Sequence, residues 1–270
     1  MSAQRSVLAM LAAASLVSNV TAADPASAAR TLVVCADPNN LPFSNRAGQG
    51  FENHLAQLLG RELKAHVSYL WWAQRRGYVR STLNEAKCDL WPGVASGVDR
   101  VMTTKPYYRS TYVFVTRADR HLTSLSFDDP RLKRLSIGVQ MIGNNATNTP
   151  PAQALARRGI TDNIHGYMVY GHYDRPNPSA EIVRAVERGE IDVAVVWGPL
   201  AGYFAQRSPV RLRLEAVPAD SEDPRLPMTY SIAVGVRSGN AALRDQVEQV
   251  LEHDKPTIDR LLRAYDVPSA

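Results

Sequence analysis

Runs of apolar, β-branched residues alternate with amphipathic segments along most of this chain of 270 residues. Residues 31–36 form a continuous apolar run typical of a buried strand, and breakers follow it. Apolar residues then recur at helical spacing over 51–63, and 66–71 alternate as a second strand. A strand, a helix and a strand in this order build parallel sheets with binding loops at the carboxyl ends of the strands. The sequence therefore predicts an α/β protein.

The alternation falls into two blocks. The first block continues with a predicted helix at 77–86 and a strand at 89–94, and the β-prone run at 110–116 leaves it. The remaining elements are predicted as strands at 135–140, 191–196 and 230–236, and helices at 151–158, 179–188, 241–251 and 257–265.

A linker rich in breakers and charge, 217–227, predicts a return from the second block to the first. We therefore expect two lobes joined by two hinge crossings, with mostly parallel sheets and a cleft between the lobes. The first lobe is predicted to comprise 30–115 and 223–270, and the second 116–222.

The first 29 residues have the composition of a secretory signal peptide. Arg5 precedes an apolar run at 7–17, and small residues follow it. Cleavage after Ala22 and cleavage after Ala28 both fit, and the sequence does not choose between them. The run is shorter than the ~20 residues that span a bilayer. We expect an exported protein without a membrane span after cleavage.

The charge and the cysteine content limit which partners and which cellular compartment fit this chain. The formal charge is +5, but 31 basic residues are scattered among 26 acidic ones, which argues against nucleic acid and favours an acidic protein partner. The two cysteines, Cys35 and Cys88, would pair in an oxidising compartment if their Cα atoms lay within ~7 Å. Cys35 lies near the end of one predicted strand and Cys88 near the start of another, so the pairing stays open.

Catalytic and metal-binding motifs do not stand out. The six histidines show no His-Glu-x-x-His spacing, and the cysteines lack a second pair. Gly-x-Ser-x-Gly, Walker and dinucleotide-binding motifs are also missing from the sequence. We expect a binding protein, not an enzyme, with no metal and no cofactor.

Several stretches resemble a known fold family. The order of elements, together with 137–140, 187–192 and 230–237, is similar to type II periplasmic solute-binding proteins over nearly the whole mature chain. More specific stretches at 34–45, 71–77, 103–112 and 197–204 resemble the quinoprotein dehydrogenase-associated binding proteins of the MxaJ and XoxJ type.

This resemblance implies a periplasmic, monomeric accessory protein. Its partner would be a pyrroloquinoline-quinone (PQQ) dependent methanol or alcohol dehydrogenase, with the cytochrome c of that system as a further candidate. The chain would help the dehydrogenase to mature or become active, through the cleft or an adjacent surface. The alternative is a receptor that delivers a small solute, not an amino acid, to an ABC transporter.

The resemblance also suggests where a ligand would lie. Amino-acid-binding relatives grip the ligand carboxylate with an Arg seven residues after a strand-ending Gly, which corresponds to Arg100 here, and a solvated Arg is the alternative. Those relatives place an Asp for the ammonium where this chain has Trp197, which argues against a free α-amino acid. Gln140 and the turn around Asn144 are the second-lobe candidates.

Further candidates lie in loops of the first block. Asp37, Asn39 and Asn40 follow a strand, where Asx residues either carry function or build tight turns. Aromatic residues beside breakers are predicted to line the cleft, with ordinary packing as the alternative. Those assigned to the cleft are Phe43, Trp72, Tyr107, Tyr108 and Trp197.

Arg75 and Arg76 follow a Trp pair in the first block. They are candidates for contact with an acidic partner, although a solvated surface is the usual place for adjacent arginines.

Overall fold

A computed structural model describes residues 30–142, 148–171 and 173–269 of the chain. Its strands are β1 Arg30–Ala36, β2 Asn39–Asn40, β3 Ser44–Asn45, β4 Ala65–Trp71, β5 Leu90–Ala95, β6 Val101–Thr103, β7 Tyr108–Arg117, β8 Ile137–Met141, β9 Ile164–Met168, β10 Val193–Trp197, β11 Leu212–Ala216 and β12 Thr229–Arg237. Its α-helices are α1 Phe51–Glu62, α2 Tyr78–Ser81, α3 Pro150–Arg157, α4 Glu181–Glu187, α5 Gly198–Gln206, α6 Ala241–His253 and α7 Lys255–Ala264.

Ten of the strands form one mixed sheet with parallel flanks. Its main order is β4-β1-β5-β12-β7-β10-β8-β9, with β6 paired to β12 and β11 paired to β7. Strands β4, β1 and β5 are parallel, and so are β10, β8 and β9. We call the half built on the first set the first lobe and the half built on the second set the second lobe. The predicted α/β arrangement is thus confirmed.

Two antiparallel strands, β7 and β12, run between the lobes. From Tyr108 to Thr111, β7 pairs with β12, and from Tyr112 to Thr116 it pairs with β10. The partner of the same strand therefore changes within one residue. Side chains of β7 contribute to the cores of both lobes.

Each lobe has its own apolar core. In the first lobe, leucines and Phe51 on the buried side of α1 pack against β1, β12 and α6. In the second lobe, β8 and β10 are covered by α3 on one face and by α4 and α5 on the other. The helix periodicity of 3.6 and the continuous apolar strands are what make both packings possible.

The helix predicted at 77–86 is wrong in length, because α2 spans only Tyr78–Ser81. The Thr82 hydroxyl donates a hydrogen bond of 2.6 Å to the Tyr78 carbonyl, and Ala86 adopts a φ of 54°. A threonine bonding back to the chain and a left-handed alanine both oppose helix continuation. Conversely, α5 begins at Gly198 and Pro199, where no helix is predicted from the sequence.

Cys35 and Cys88 form a disulfide, with Cα atoms 5.5 Å apart. The backbone N–H of Asp89 donates to the Val33 carbonyl over 2.7 Å, so the chain enters β5 directly alongside β1. This entry brings Cys88 beside Cys35, which the offset of the two predicted strands could not decide.

The predicted signal peptide, Asn144 and His172 lie outside the described residues. Within the described ranges, no helix is long and apolar enough to cross a bilayer.

Candidate functional site

A cleft of about 380 Å³ lies between the lobes and receives residues from both. The first lobe contributes Asn40, Phe43, Glu52 and Gln74. The crossing strands contribute Tyr108, Tyr112 and Tyr230, and the second lobe contributes Gln140, Thr149, Trp197 and Leu200. The cleft therefore lies where the carboxyl ends of the parallel strands face each other, as expected for open α/β sheets.

Aromatic rings form much of its wall. Trp197 packs edge-to-face against Tyr112, with ring centroids 5.3 Å apart, and against Tyr230 at 5.8 Å. Phe43 packs edge-to-face against buried Phe51 at 5.5 Å. These contacts are the arrangement that aromatic quadrupoles favour, and they hold the rings in place.

Trp197 owes its position to its neighbours along the second-lobe sheet. It ends β10 and immediately precedes α5. Its backbone N–H donates a 2.7 Å hydrogen bond to the side-chain carbonyl of buried Gln140 at the end of β8. The Gln140 backbone carbonyl in turn accepts a 2.7 Å bond from the Thr149 hydroxyl. Gln140 thus positions the indole from the adjacent strand.

Glu52 is the unusual polar residue of the cleft. It lies in the first turn of α1, is only 3% exposed, and its Oε2 has no hydrogen-bond partner in the described protein. Gly93 of β5 makes room for it, since a Cβ there would clash with Oε1. Burial, reinforced by the nearby Asp37 charge, raises the pKa of Glu52 to about 8.

Asp37 is buried too, but it is fully hydrogen-bonded. It accepts bonds from the backbone N–H groups of Asn39 and Gln74, both at 2.9 Å, and from the Tyr173 hydroxyl at 3.0 Å. Burial raises the pKa of Asp37, and these three hydrogen bonds oppose that effect. The Asp37 carboxylate therefore organises the loop after β1 and does not line the cleft.

The same loop is tied to the second lobe. Besides the bond from Tyr173, the Asn39 side chain donates to the Arg175 carbonyl at 2.7 Å and accepts from the Asn177 backbone N–H at 3.2 Å. We call this set of contacts from Asp37 and Asn39 to Tyr173, Arg175 and Asn177 the latch. The latch joins the lobes at one edge of the cleft.

The structure places five of the predicted site residues together in the cleft. These are Asn40, Phe43, Tyr108, Gln140 and Trp197. Asp37 and Asn39 lie beside it, in the latch.

Two predicted aromatic residues lie elsewhere. Tyr107 precedes β7 and is buried in the first-lobe core, because successive residues of an extended chain point to opposite faces and Tyr108 takes the cleft side. Trp72 follows β4 at the edge of the sheet and packs against the apolar residues around the Cys35–Cys88 disulfide. The Lys87 ammonium lies 5.4 Å from the centre of its ring. Their assignment to the cleft was wrong.

The three candidate arginines also lie away from the cleft. Arg100 is exposed in the turn between β5 and β6, with a φ of 65°. It lines a shallow groove on the first lobe together with Arg75, and Arg76 is exposed beside them. The residue count from Gly93 leads past the strand end into this turn, so Arg100 does not face a ligand in the cleft.

Sequence reasoning missed Glu52, Gln74, Tyr112 and Tyr230 as cleft residues. Glu52 lies in the first turn of a helix, where an acidic side chain ordinarily interacts with the helix dipole. Its proximity to Gly93, from another strand, gives it a different environment. Among the described residues, no group of three or more His, Cys, Asp or Glu side chains could hold a metal ion.

Known proteins resemble this chain in sequence and in fold. No family model matches the chain. The chain is 33% identical to Protein MoxJ of Methylorubrum extorquens AM1 over 89% of its length and 82% of that protein. It is 30% identical to Protein MoxJ of Paracoccus denitrificans, over 91% of its length and 92% of that protein.

Solved structures agree with this relationship. The periplasmic binding protein XoxJ from Methylobacterium extorquens AM1 matches with a TM-score of 0.70 and 36% identity, covering 89% of this chain and 99% of that one. MxaJ from Methylophaga aminisulfidivorans MPT matches with a TM-score of 0.74 at 24% identity, covering 89% of this chain and 100% of that one, and supports the fold. An ancestral cationic amino acid solute-binding protein, at 22% identity and a TM-score of 0.66 over 87% of this chain and 95% of that one, also supports the fold.

Proposed function

The chain belongs to the MoxJ family of periplasmic-binding-protein-like proteins, and on that premise we propose that it is a periplasmic accessory protein of a PQQ-dependent methanol or alcohol dehydrogenase. It binds the dehydrogenase and assists its maturation or activation, and it is a binding protein, not an enzyme. The observation that carries the proposal is the identity of 33% to MoxJ over 89% of the chain. The cytochrome c of the same system is a further candidate partner.

The cleft and its rim support a protein partner. Aromatic side chains such as Trp197 and Tyr108 are favoured anchors at interfaces. The latch joins the lobes beside the cleft through direct protein contacts of Tyr173 and Asn39. A cleft already closed on one side offers a stable surface to a partner.

We further infer that the functional unit is a monomer with the lobe boundaries expected from the sequence, 30–115 with 223–270, and 116–222. The change of partner along β7, at Thr111 and Tyr112, supports a crossing near this boundary. The predicted signal peptide, residues 1–29, would deliver the chain to the periplasm.

The test uses the source cells with the gene deleted. We expect the quinone content and activity of the periplasmic dehydrogenase to fall, and the wild-type chain to restore both. Trp197→Leu removes a cleft aromatic and should restore less than half of the activity. Trp71→Leu is the matched control, because Trp71 stacks on Tyr69 at 4.7 Å and does not line the cleft.

Binding of the purified chain to the purified dehydrogenase is measured in parallel by biolayer interferometry. Normal dehydrogenase activity in the deletion strain, together with no measurable binding, would overturn the proposal. Equal rescue by Trp197→Leu and Trp71→Leu would indicate that the dehydrogenase contacts a surface other than the cleft.

A second candidate, a receptor that delivers a small non-amino-acid solute to an ABC transporter, is favoured by the cleft volume. About 380 Å³ lies within the range of small-molecule sites. Thermal-shift screening separates the two, since a ligand at 100 times its Kd stabilises a protein by ~2.7 kcal/mol.

A further inference from the structure

We propose that the cleft binds an alkylammonium or guanidinium group, with the Glu52 carboxylate as its counter-ion and the rings of Tyr108 and Trp197 as its walls. The group belongs either to a free amine or to a Lys or Arg side chain of a partner protein, and the recognition chemistry is the same. The inference rests on the cleft alone and does not require the dehydrogenase as partner.

The buried carboxylate of Glu52 is the first support. Its Oε2 lacks a partner in the described part of the chain, although the residue is 97% removed from solvent. An unpaired buried polar group costs free energy, and such groups in native proteins call for a specific explanation. A cation in the cleft that Glu52 lines supplies the opposite charge that the carboxylate lacks.

Gly93 is the second support, since it leaves space that a side chain would otherwise take. A Cβ at this position would overlap Oε1 of Glu52. Both Gly93 and Glu52 line the cleft, so the space freed by the glycine is continuous with it. The carboxylate is therefore accommodated at the cleft wall and not enclosed in the core.

The aromatic walls are the third support. Trp197, Tyr108, Tyr112, Tyr230 and Phe43 all line the same cleft. The faces of such rings attract cations, most strongly where the cation is desolvated. A buried carboxyl group that can ionise beside several rings is thus complementary to an organic cation and not to an anion.

The charge of the residues that line the cleft is consistent with a cationic ligand. Of the described residues that line it, none is Lys, Arg or His. Glu52 is the acidic one among them, so a positive ligand would neutralise it without competition from a described basic side chain.

Protonation provides a distinctive signature. The titratable groups facing Glu52 are Asp37, Tyr78, Tyr107 and Tyr108, and the pKa of each of the three tyrosines is raised by burial. The pKa of Glu52 is about 8, so the empty site holds a protonated acid at pH 6.5. A cation must displace that proton, so its affinity rises with pH up to about this pKa.

Isothermal titration calorimetry of the full mature chain tests the proposal. The probes are n-butylammonium and the blocked amino acid Nα-acetyl-lysine N-methylamide, with n-butanol and n-butyrate as neutral and anionic controls. We expect both cations to bind at least tenfold more tightly than either control. Titrations at pH 6.5 in phosphate and in cacodylate, two buffers without an amine, should show release of about one proton per cation bound.

The comparison of the two cations identifies the source. Tighter binding of the blocked lysine assigns the site to a protein side chain, and tighter binding of n-butylammonium assigns it to a free amine. Both results support a cation site. They involve no dehydrogenase, so they stand even if the proposed accessory function fails.

Variants connect the binding to Glu52. Glu52→Gln keeps the volume, and we expect it to weaken cation binding at least tenfold and to abolish proton release. Glu62→Gln, at the exposed end of the same helix, is the matched control and should bind like the wild type. Trp197→Leu should weaken binding without changing proton release.

Absence of binding by both cations would overturn the proposal. So would equal affinity for n-butylammonium and n-butanol, or unchanged affinity and proton release in Glu52→Gln. Circular dichroism of each variant confirms that it is folded before these results are interpreted.

Discussion

The two lobes each bury a carboxylate, but in opposite circumstances. Asp220 in the second lobe is 2% exposed and accepts a 2.8 Å bond from the guanidinium of Arg158, which also contacts Asp128 at 2.8 Å. The other oxygen of Asp220, Oδ2, makes no hydrogen bond but lies 3.8 Å from the Arg157 guanidinium. Glu52 in the first lobe is equally buried and its Oε2 also makes no hydrogen bond, but no basic side chain of the described chain pairs with its carboxyl group. The paired carboxylate holds the return linker to the end of α3, whereas the unpaired one faces the cleft.

The difference separates a structural charge from a candidate binding charge. A buried ion pair offsets much of its desolvation cost through attraction and hydrogen bonds, and it becomes destabilising mainly when one partner is removed. A lone buried acid avoids the cost by keeping its proton, which is why burial raises the pKa of Glu52. Removing each charge should therefore have opposite consequences for stability.

The largest effect is expected from the disulfide, which stabilises the lobe that carries the unpaired charge. The loop closed by Cys35 and Cys88 spans 53 residues, so the double variant Cys35→Ala/Cys88→Ala should lose about 4 kcal/mol in free energy of unfolding. Urea denaturation followed by tryptophan fluorescence measures it.

Reductant provides the control for this experiment. It should lower the stability of the wild type by a similar amount and leave the double variant unchanged. If reductant left the stability of the wild type unchanged, the cross-link would contribute little to the stability of the first lobe.

Removal of the paired charge comes next. Asp220→Asn keeps the shape but leaves the Arg158 guanidinium without its buried counter-ion, and we expect a loss of roughly 3 kcal/mol. Glu222→Gln is the control, because Glu222 is an exposed neighbour 3.8 Å from the same guanidinium. Similar effects of the two substitutions in urea denaturation would remove the distinction between the lobes.

Removal of the unpaired charge of Glu52 should change the free energy of unfolding in the opposite direction. The folded-state pKa of Glu52 lies near 8 and the unfolded value near 4.5, so the folded state binds the extra proton between these values. The wild type therefore loses stability as pH rises through this window, by roughly 2 kcal/mol between pH 5 and pH 7.

Glu52→Gln has no such proton to lose. Its stability relative to wild type should increase over the same interval, which parallel urea titrations at pH 5 and pH 7 measure. Glu62→Gln serves again as the control and should follow the wild type. A constant difference between Glu52→Gln and wild type would contradict the raised pKa.

The smallest effect concerns the latch between the lobes. Tyr173→Phe removes the hydroxyl that donates to Asp37 at 3.0 Å, and we expect a loss of about 1 kcal/mol. Small-angle scattering should show a slightly larger radius of gyration if the latch holds the lobes together. Tyr170→Phe, three residues earlier, is the control and should leave both measurements unchanged.

Local sequence pattern was sufficient for most of the elements but not for the cleft. The apolar run before Asp37 and the leucines of α1 predict a strand and a helix because burial follows the period of each element. The turn holding Arg100 could not be placed from a residue count, since the lengths of β5 and β6 fix its position. Tyr107 and Tyr108 are adjacent in sequence, and only the pairing of β7 decides which one faces the cleft.

The sequence by itself determined the alternating α/β elements, the two blocks and the presence of aromatic residues near strand ends, because these depend on periodicity and on local breakers. Only the tertiary structure decided the Cys35–Cys88 disulfide, the latch and the environment of Glu52. Each of these depends on segments far apart in the chain, and Glu52 in particular became a candidate binding group because Gly93 of another strand lies against it. A side chain's burial and partners belong to the folded surroundings, so no local pattern specifies them.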